Sequence, residues 1–417
     1  MKKAIFLFFI CLSNFLFSQV KKDSVYAKRV NLLNTNYKDF VAIDKFVYVI
    51  TKGDSLVVFD LEKEKVKFLQ KDITALAKTS KGELVIAEKQ GSIFKRTKSG
   101  KLIKKDTVEG SVFKILIDKN DNLVVVSKFN IRFKNQNFVP DKKSKMYNQI
   151  GKAIKAKYLI PMDVVFLDKE QRVWFGYDAG EWGGTLCFFD LNSKEFYSDE
   201  SLSSLYDDKY DVWEHNSSKL FKEFPEKMKI IGNDTLIKFP HNLDISNIKG
   251  VAQNEKGDIF ISESLMHFSF SSKLVKMNKT LGKDFYKSVD LSDVLEHKVY
   301  KDTIRNYYDT SGEIKTFTLA GYKESLEYLG GVTFNPYDKH IYYYTNNGFW
   351  KFIEKVDGCS KEFVFKPWII WTPGLANSVG YQMNVIKFEF IGEKEIVFLS
   401  SNNGIGYFDG KSVTYFK

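Results

Sequence analysis

Apolar and polar residues alternate in short bursts along this chain, and the stretch Asp163 to Asp190, DVVFLDKEQRVWFGYDAGEWGGTLCFFD, shows the pattern in full. An apolar run (Val164 to Leu167) gives way to a polar turn (Asp168 to Gln171), a second run (Val173 to Phe175), a Gly-rich loop (Gly176 to Gly184) and a third run (Leu186 to Phe189). Short β-branched and aromatic runs punctuated by Asp, Lys, Gln and Gly predict strands joined in an antiparallel meander. The same grammar restarts at Val41, Ile73, Val112, Ile248, Leu329 and Val385, so the unit occurs seven times. A small repeated sheet cannot bury its faces alone, so the copies must stack on one another. The prediction is an all-β fold: a β-propeller of four-stranded antiparallel meanders with seven blades, six or eight being the neighbouring counts.

The early units are compact. The first reads as Val41–Ile43, Phe46–Ile50, Leu56–Phe59 and Val66–Leu69, and the third ends in a weak fourth run near Phe138. Downstream units are separated by inserts at about 199–247 and 292–327. The first insert carries a hairpin pattern, Met228–Ile231 and Thr235–Phe239, that could belong to an additional sheet. The best helical candidate is SKMYNQIGKAIKAKYL, where Met146, Ile150, Ile154 and Leu159 share a face. Before the first unit, the patch VYAKRVNLL is available to close the ring by pairing with the last sheet.

Strand alternation within a meander sorts the loops. Second-to-third turns and fourth-to-first connectors must emerge on one face, and the remaining tight turns on the other. The first face collects the Gly176–Gly184 loop, a loop expected at Ser264 to Ser272, the basic connector Lys142 to Lys157, both inserts, and the connector Pro367 to Asn384. Binding residues concentrate on loops held by a rigid scaffold, which makes this the expected working face.

Composition adds an address. MKKAIFLFFICLSNFLFSQ has Lys2 and Lys3, an apolar run from Ala4 to Cys11, and Ser18 before Gln19, the layout of a secretory signal peptide at residues 1–18. The rest, 19–417, is expected to form a single propeller domain, periplasmic or secreted, with no transmembrane anchor after cleavage. Cys187 and Cys359 then remain, too few for a disulfide framework. No CxxC, HExxH or His pair at ligand spacing occurs, so no zinc site or other cofactor is signalled. The formal charge of +11 can attract anionic partners, but lysines simply spread over a solvated surface account for it better. Nucleic acid is not an expected partner, since the chain has no binding motif for it.

The run Asp168-x-x-x-x-Val173-Trp174-x-Gly176 followed by a Gly-containing loop resembles the repeats called two-component regulator propellers. Other units keep the turn (Asp118, Asn120 and Asn122; Lys81-Gly82; Lys256-Gly257) without the Trp and Gly. The resemblance implies a propeller architecture and, in that family, the periplasmic sensor half of a membrane kinase. No kinase or transmembrane helix follows Phe416 here, so a stand-alone exported protein is the expectation.

Candidate binding residues lie on the loop-rich face. Asp178 and Glu181 beside Trp182 offer carboxylates next to a flat indole, a platform for a sugar or cation, although the ring could equally pack on a neighbouring blade. His267 lies beside Phe268 and Phe270. Trp368, Trp371 and Tyr381 form either an aromatic wall over the central opening or a plug between blades. A third function, a scaffold or sensor subunit beside a membrane protein, would show an exposed apolar patch on the outer side of a blade, but two functions lead. One is a non-catalytic exported propeller that binds or senses an envelope or extracellular glycan, a small molecule or a protein. The other is a propeller hydrolase or lyase acting on a glycan or lactone through acids at the central channel, where resemblance to sugar-lactonase-type propellers would add calcium. Convergent oxygen ligands at the channel mouth favour the enzyme; an aromatic or Lys-lined mouth favours the binder.

Overall fold

Residues 24–417 are described by a computed structural model, apart from 140–163, 199–227, 238–246, 368–384 and breaks of one to five residues. Seven four-stranded antiparallel meanders follow one another along the chain, each built outward from an innermost strand. The innermost strands are Tyr37–Ile43, Ile73–Lys78, Val112–Ile117, Val164–Leu167, Ile248–Gln253, Leu329–Phe334 and Val385–Phe390, and they begin blades 1 to 7 in that order. The expected propeller is the observed fold.

Stacking explains the composition of the second strands. In blade 4, Val173 and Phe175 pack toward blade 3, while Trp174 packs toward blade 5. In blade 6, Ile341 and Tyr343 face blade 5, and Tyr342 and Tyr344 face blade 7. In blade 7, Ile396 and Phe398 face blade 6, and Val397 and Leu399 face blade 1. Successive side chains leave a strand on opposite faces, so a strand with neighbours on both sides is apolar at every position. Among the described residues the core divides into seven clusters, one at each junction between successive blades, including blade 7 against blade 1. An outermost strand with one fewer neighbour is more polar, whereas Val413–Phe416 of blade 7, covered by a further strand, stays buried. Leu102–Thr107 of blade 2 is exposed at nearly every position.

A side chain near the first-to-second turn caps it in several blades. Asp118 accepts the backbone N–H groups of Asn120 and Asn122 at 2.8 and 2.7 Å, and Asn254 accepts that of Asp258 at 2.9 Å. In blade 4, Asp168 accepts Arg172 N, Arg172 Nε and Trp174 Nε1, each at 2.8 Å. Its side chain is fully buried and that of Arg172 is 7% exposed. Gly176 completes the local motif for a packing reason: a Cβ there would stand 2.9 Å from Cδ1 of Ile248 on blade 5.

The lead-in does close the ring, through two blades. Ser24–Val25 adds in parallel to the outer strand of blade 6, Gly358–Pro367, and Ala27–Val30 adds in parallel to Val413–Phe416 of blade 7. Leu32 N and Leu33 N then donate to the carbonyl of Lys417 at 2.6 and 2.7 Å. The first insert's hairpin, Met228–Ile231 with Asp234–Ile237, makes no eighth blade. It extends blade 5 by pairing with that blade's outer strand, Phe285–Asp290. The second insert holds a further hairpin, Thr303–Tyr308 with Ile314–Leu319. The loop expected at Ser264 to Ser272 is mostly strand: Ser264 pairs with Ser272 and Met266 with Phe270, because the ladder continues to its tip. The helical candidate at 144–159 lies outside the described residues.

Candidate functional site

The innermost strands share an irregularity. Their pairing with the second strand slips by one residue near the start, between Tyr37 and Asp39, Ile73 and Ala75, Val112 and Lys114, Ile248 and Gly250, Leu329 and Val332, and Val385 and Lys387. Only blade 4 pairs there without a slip. A bulge leaves one residue outside the ladder and re-aims its side chain. The extra residues are Lys38, Thr74, Phe113, Lys249, one of Gly330 and Gly331, and Ile386. Lys38, Thr74, Phe113, Lys249, Gly331 and Ile386 all line one axial cavity of about 980 Å³, with Val165 in the corresponding place on blade 4. Asp54 and Lys89, from second-to-third turns, join the same lining. The cavity therefore opens on the face that strand alternation assigned to those turns. Phe113 and Ile386, at 37% and 47% exposed, are surface apolar residues because the bulge points them into this opening.

A chain of charges runs along the cavity wall. Asp39 of blade 1 accepts Lys114 Nζ of blade 3 at 2.5 Å, which therefore reaches across blade 2, and Lys387 Nζ of blade 7 at 3.0 Å. Glu389 of blade 7 pairs with Lys387 at 3.1 Å and with Lys78 of blade 2 at 2.8 Å. Lys387 Nζ also donates to the carbonyl of Phe40. Four blades are thereby tied together around the axis. Burial alone would raise the Asp39 carboxyl, but the Lys114 and Lys387 ammoniums overcome it and hold that carboxyl well below the usual range. Glu389 is lowered in the same way by Lys387 and Lys78 against burial. Asp54, the third carboxylate of the lining, pairs with Lys38. Five lysines (38, 89, 114, 249 and 387) face these three acids, so the opening is electropositive.

Glycine brings the walls together on one side. A Cβ on Gly250 would lie 2.7 Å from Val332 N, and one on Gly331 would lie 2.9 Å from the carbonyl oxygen of Ile386. The innermost strands of blades 5, 6 and 7 can thus approach backbone to backbone.

Of the residues that sequence reasoning named, Glu181, Trp182, His267, Trp368, Trp371 and Tyr381 lie outside the described residues, and Asp178 is described only as the backbone end of Arg172–Asp178. Trp174, Asp168 and Gly176 build blade 4 and its contact with blade 5. Cys359 is a half-buried free thiol whose pKa is pushed up by burial. Among the described residues, no group of three His, Cys, Asp or Glu side chains is arranged to hold a metal ion, and no helix is long and apolar enough to cross a membrane. The cavity residues were missed. A signal for them existed, since a Lys stands near the start of four largely apolar innermost strands, at Lys38, Lys114, Lys249 and Lys387.

Fold and cavity together define the chain as a seven-bladed β-propeller with an axial opening. No family model matches it, and no curated protein does. Similar solved structures include a chain of the mitotic checkpoint complex, at 10% identity and a TM-score of 0.44, covering 92% of this chain and 87% of that one. The β-propeller domain of Swd1 from Myceliophteria thermophila matches at 12% identity and a TM-score of 0.37, covering 75% and 93%. The extracellular domain of a putative hybrid two-component system from B. thetaiotaomicron matches at 11% and 0.33, covering 91% of this chain and 52% of that one. Likenesses this distant concern the fold alone.

Proposed function

We propose that this protein is a non-catalytic, exported β-propeller that binds or senses a ligand or partner through the face on which its axial cavity opens. The observation that carries this reading is the ring of bulges. One backbone device recurs in six blades and brings two lysines, a threonine, a phenylalanine, a glycine and an isoleucine to the opening, so a uniform scaffold presents a differentiated surface. The described acids at the opening do not supply the general acid of the hydrolase or lyase reading. A general acid needs a raised pKa, whereas Asp39 and Glu389 are lowered by their lysines. Calcium needs six or more oxygens, whereas the three carboxylates of the lining are each engaged by an ammonium group.

Thermal-shift screening of glycans and small metabolites tests the reading. At least one ligand should raise the melting temperature, and the bulge variant Ile386→Trp, which narrows the opening, should abolish that rise. Turnover of a glycan, lactone or peptide that disappears in Glu181→Gln would overturn it in favour of an enzyme. Export is tested separately: the mature protein should begin at Gln19.

A further inference from the structure

We infer that the axial opening takes a small organic acid, an anionic head carried on an apolar body. This deepens the binding role proposed above and rests on it. Unused hydrogen-bond donors gather on one side of the opening. An ammonium group has three N–H donors. Lys387 spends them on Asp39, Glu389 and the Phe40 carbonyl. Lys114 makes one such contact, to Asp39, and Lys38 makes one, to Asp54. The Lys89 side chain makes none among the described residues, yet lines the same cavity. Blades 1, 2 and 3 therefore bring ammonium groups with unused donors to one arc of the opening. Thr74 stands on this arc, and its buried Oγ1 has no hydrogen-bond partner.

The rest of the lining sets the other half of the ligand. Exposed Phe113 and Ile386 flank the arc, and Val165, Val251 and Val332 come from blades 4, 5 and 6. A cation would find the three carboxylates already paired with lysines. Bare phosphate would leave the apolar wall wet. The volume of about 980 Å³ is at the upper end of small-molecule sites.

The experiment is calorimetric titration of the full mature chain with decanoate, decanol and inorganic phosphate, with anilinonaphthalene sulfonate as a fluorescent competitor. Decanoate and the sulfonate should bind one per chain, compete with each other, and weaken as salt rises. Decanol and phosphate should each bind at least about tenfold more weakly than decanoate, a factor worth ~1.4 kcal/mol. Lys89→Met and Lys38→Met should each weaken decanoate about tenfold by the same conversion, and Phe113→Ser should weaken it several-fold. Lys104→Met, on the outer strand of blade 2, should leave it unchanged. Lys89 and Lys38 are in a turn and at an exposed bulge, so their variants should keep the parent melting temperature. The inference fails if decanol matches decanoate, if the Lys89 and Lys38 variants bind like the parent, or if neither anion binds. Failure of the wider reading looks different. Neutral or cationic ligands lost in Ile386→Trp would keep the binding propeller and discard the anion, whereas no ligand of any charge would discard both.

Discussion

Asp168 shows how one side chain can set a blade. Its carboxylate serves a backbone N–H, a guanidinium and an indole in a place that water does not reach. Removing its charge breaks the buried ion pair with Arg172, a change that costs about 3–5 kcal/mol. Asp168→Asn should therefore destabilise the protein by that order in urea unfolding. Trp174→Phe, which loses one hydrogen bond and some packing, should cost less, roughly 1–3 kcal/mol. Equal losses from the two would show that the carboxylate matters only through the indole. The cavity network predicts a pH dependence. Asp39 and Glu389 have folded pKa values below the ordinary 3.8 and 4.5. Their contribution is thus fully present above about pH 5 and constant toward neutrality. As pH falls, the unfolded chain takes up protons first, and the contribution is lost as pH passes down through the folded values. Urea midpoints should hold from pH 7 to about 5 and then fall. Asp39→Asn should lower stability at pH 7 by about 1–3 kcal/mol and flatten the acid limb; an unchanged limb would remove Asp39 from the network.

At the scale of elements, the two short N-terminal strands act beyond their length. Ser24–Val25 and Ala27–Val30 sit on the outer edges of blades 6 and 7, so they clasp the two last-made blades rather than completing a sheet from the inside. Val30, Leu32 and Leu33 also pack against the blade 7 to blade 1 core beside Tyr37 and Phe416. Buried aliphatic side chains are worth about 1.5–3 kcal/mol each when fully covered, and these are only partly covered. A mature chain that begins after Leu33 should remain folded yet lose roughly 2–5 kcal/mol. Hydrogen exchange should accelerate first at Val413–Phe416, whose outer edge the deletion uncovers. Uniform acceleration throughout the ring would mean that the clasp is not local. The bulges belong to this scale too. Each is a one-residue event, but its effect is on a whole strand, because the side chains before and after it keep their faces while the extra one turns to the axis.

The whole molecule is a closed circuit of seven junctions, each with its own apolar cluster. A chain truncated before Val385 would lose blade 7 and with it two junctions at once. Phe349 and Phe365 of blade 6 and Val49 and Phe59 of blade 1, all nearly fully buried in the ring, would then face water. We expect this truncation to aggregate when the intact mature chain stays monodisperse, as measured by light scattering at equal concentration. A monodisperse six-bladed product with a cooperative melt would show that the ring can re-close.

Much of this architecture is written in local order along the chain. Runs such as VVFL, VWF and IYYY, the turns DKNDN and NEKGD, and the count of seven units depend on periodicity and turn chemistry, which neighbouring residues express without reference to anything distant. Trp174 reads as structural for the same reason, since it lies inside an apolar run. The axial site is a different matter. Lys114 is one exposed-looking lysine in VFKILI until the ring places it across blade 2 from Asp39, some seventy-five residues earlier. Phe113 and Ile386 carry no local mark of a channel residue, because their direction is set by a one-residue slip against a partner strand. The sequence determined the repeating strands, the seven units and the need to stack, since these follow from burying small two-faced sheets. Only the tertiary structure decided which charges meet, where the ends clasp and what lines the opening, since each depends on distances between residues that the chain itself keeps far apart.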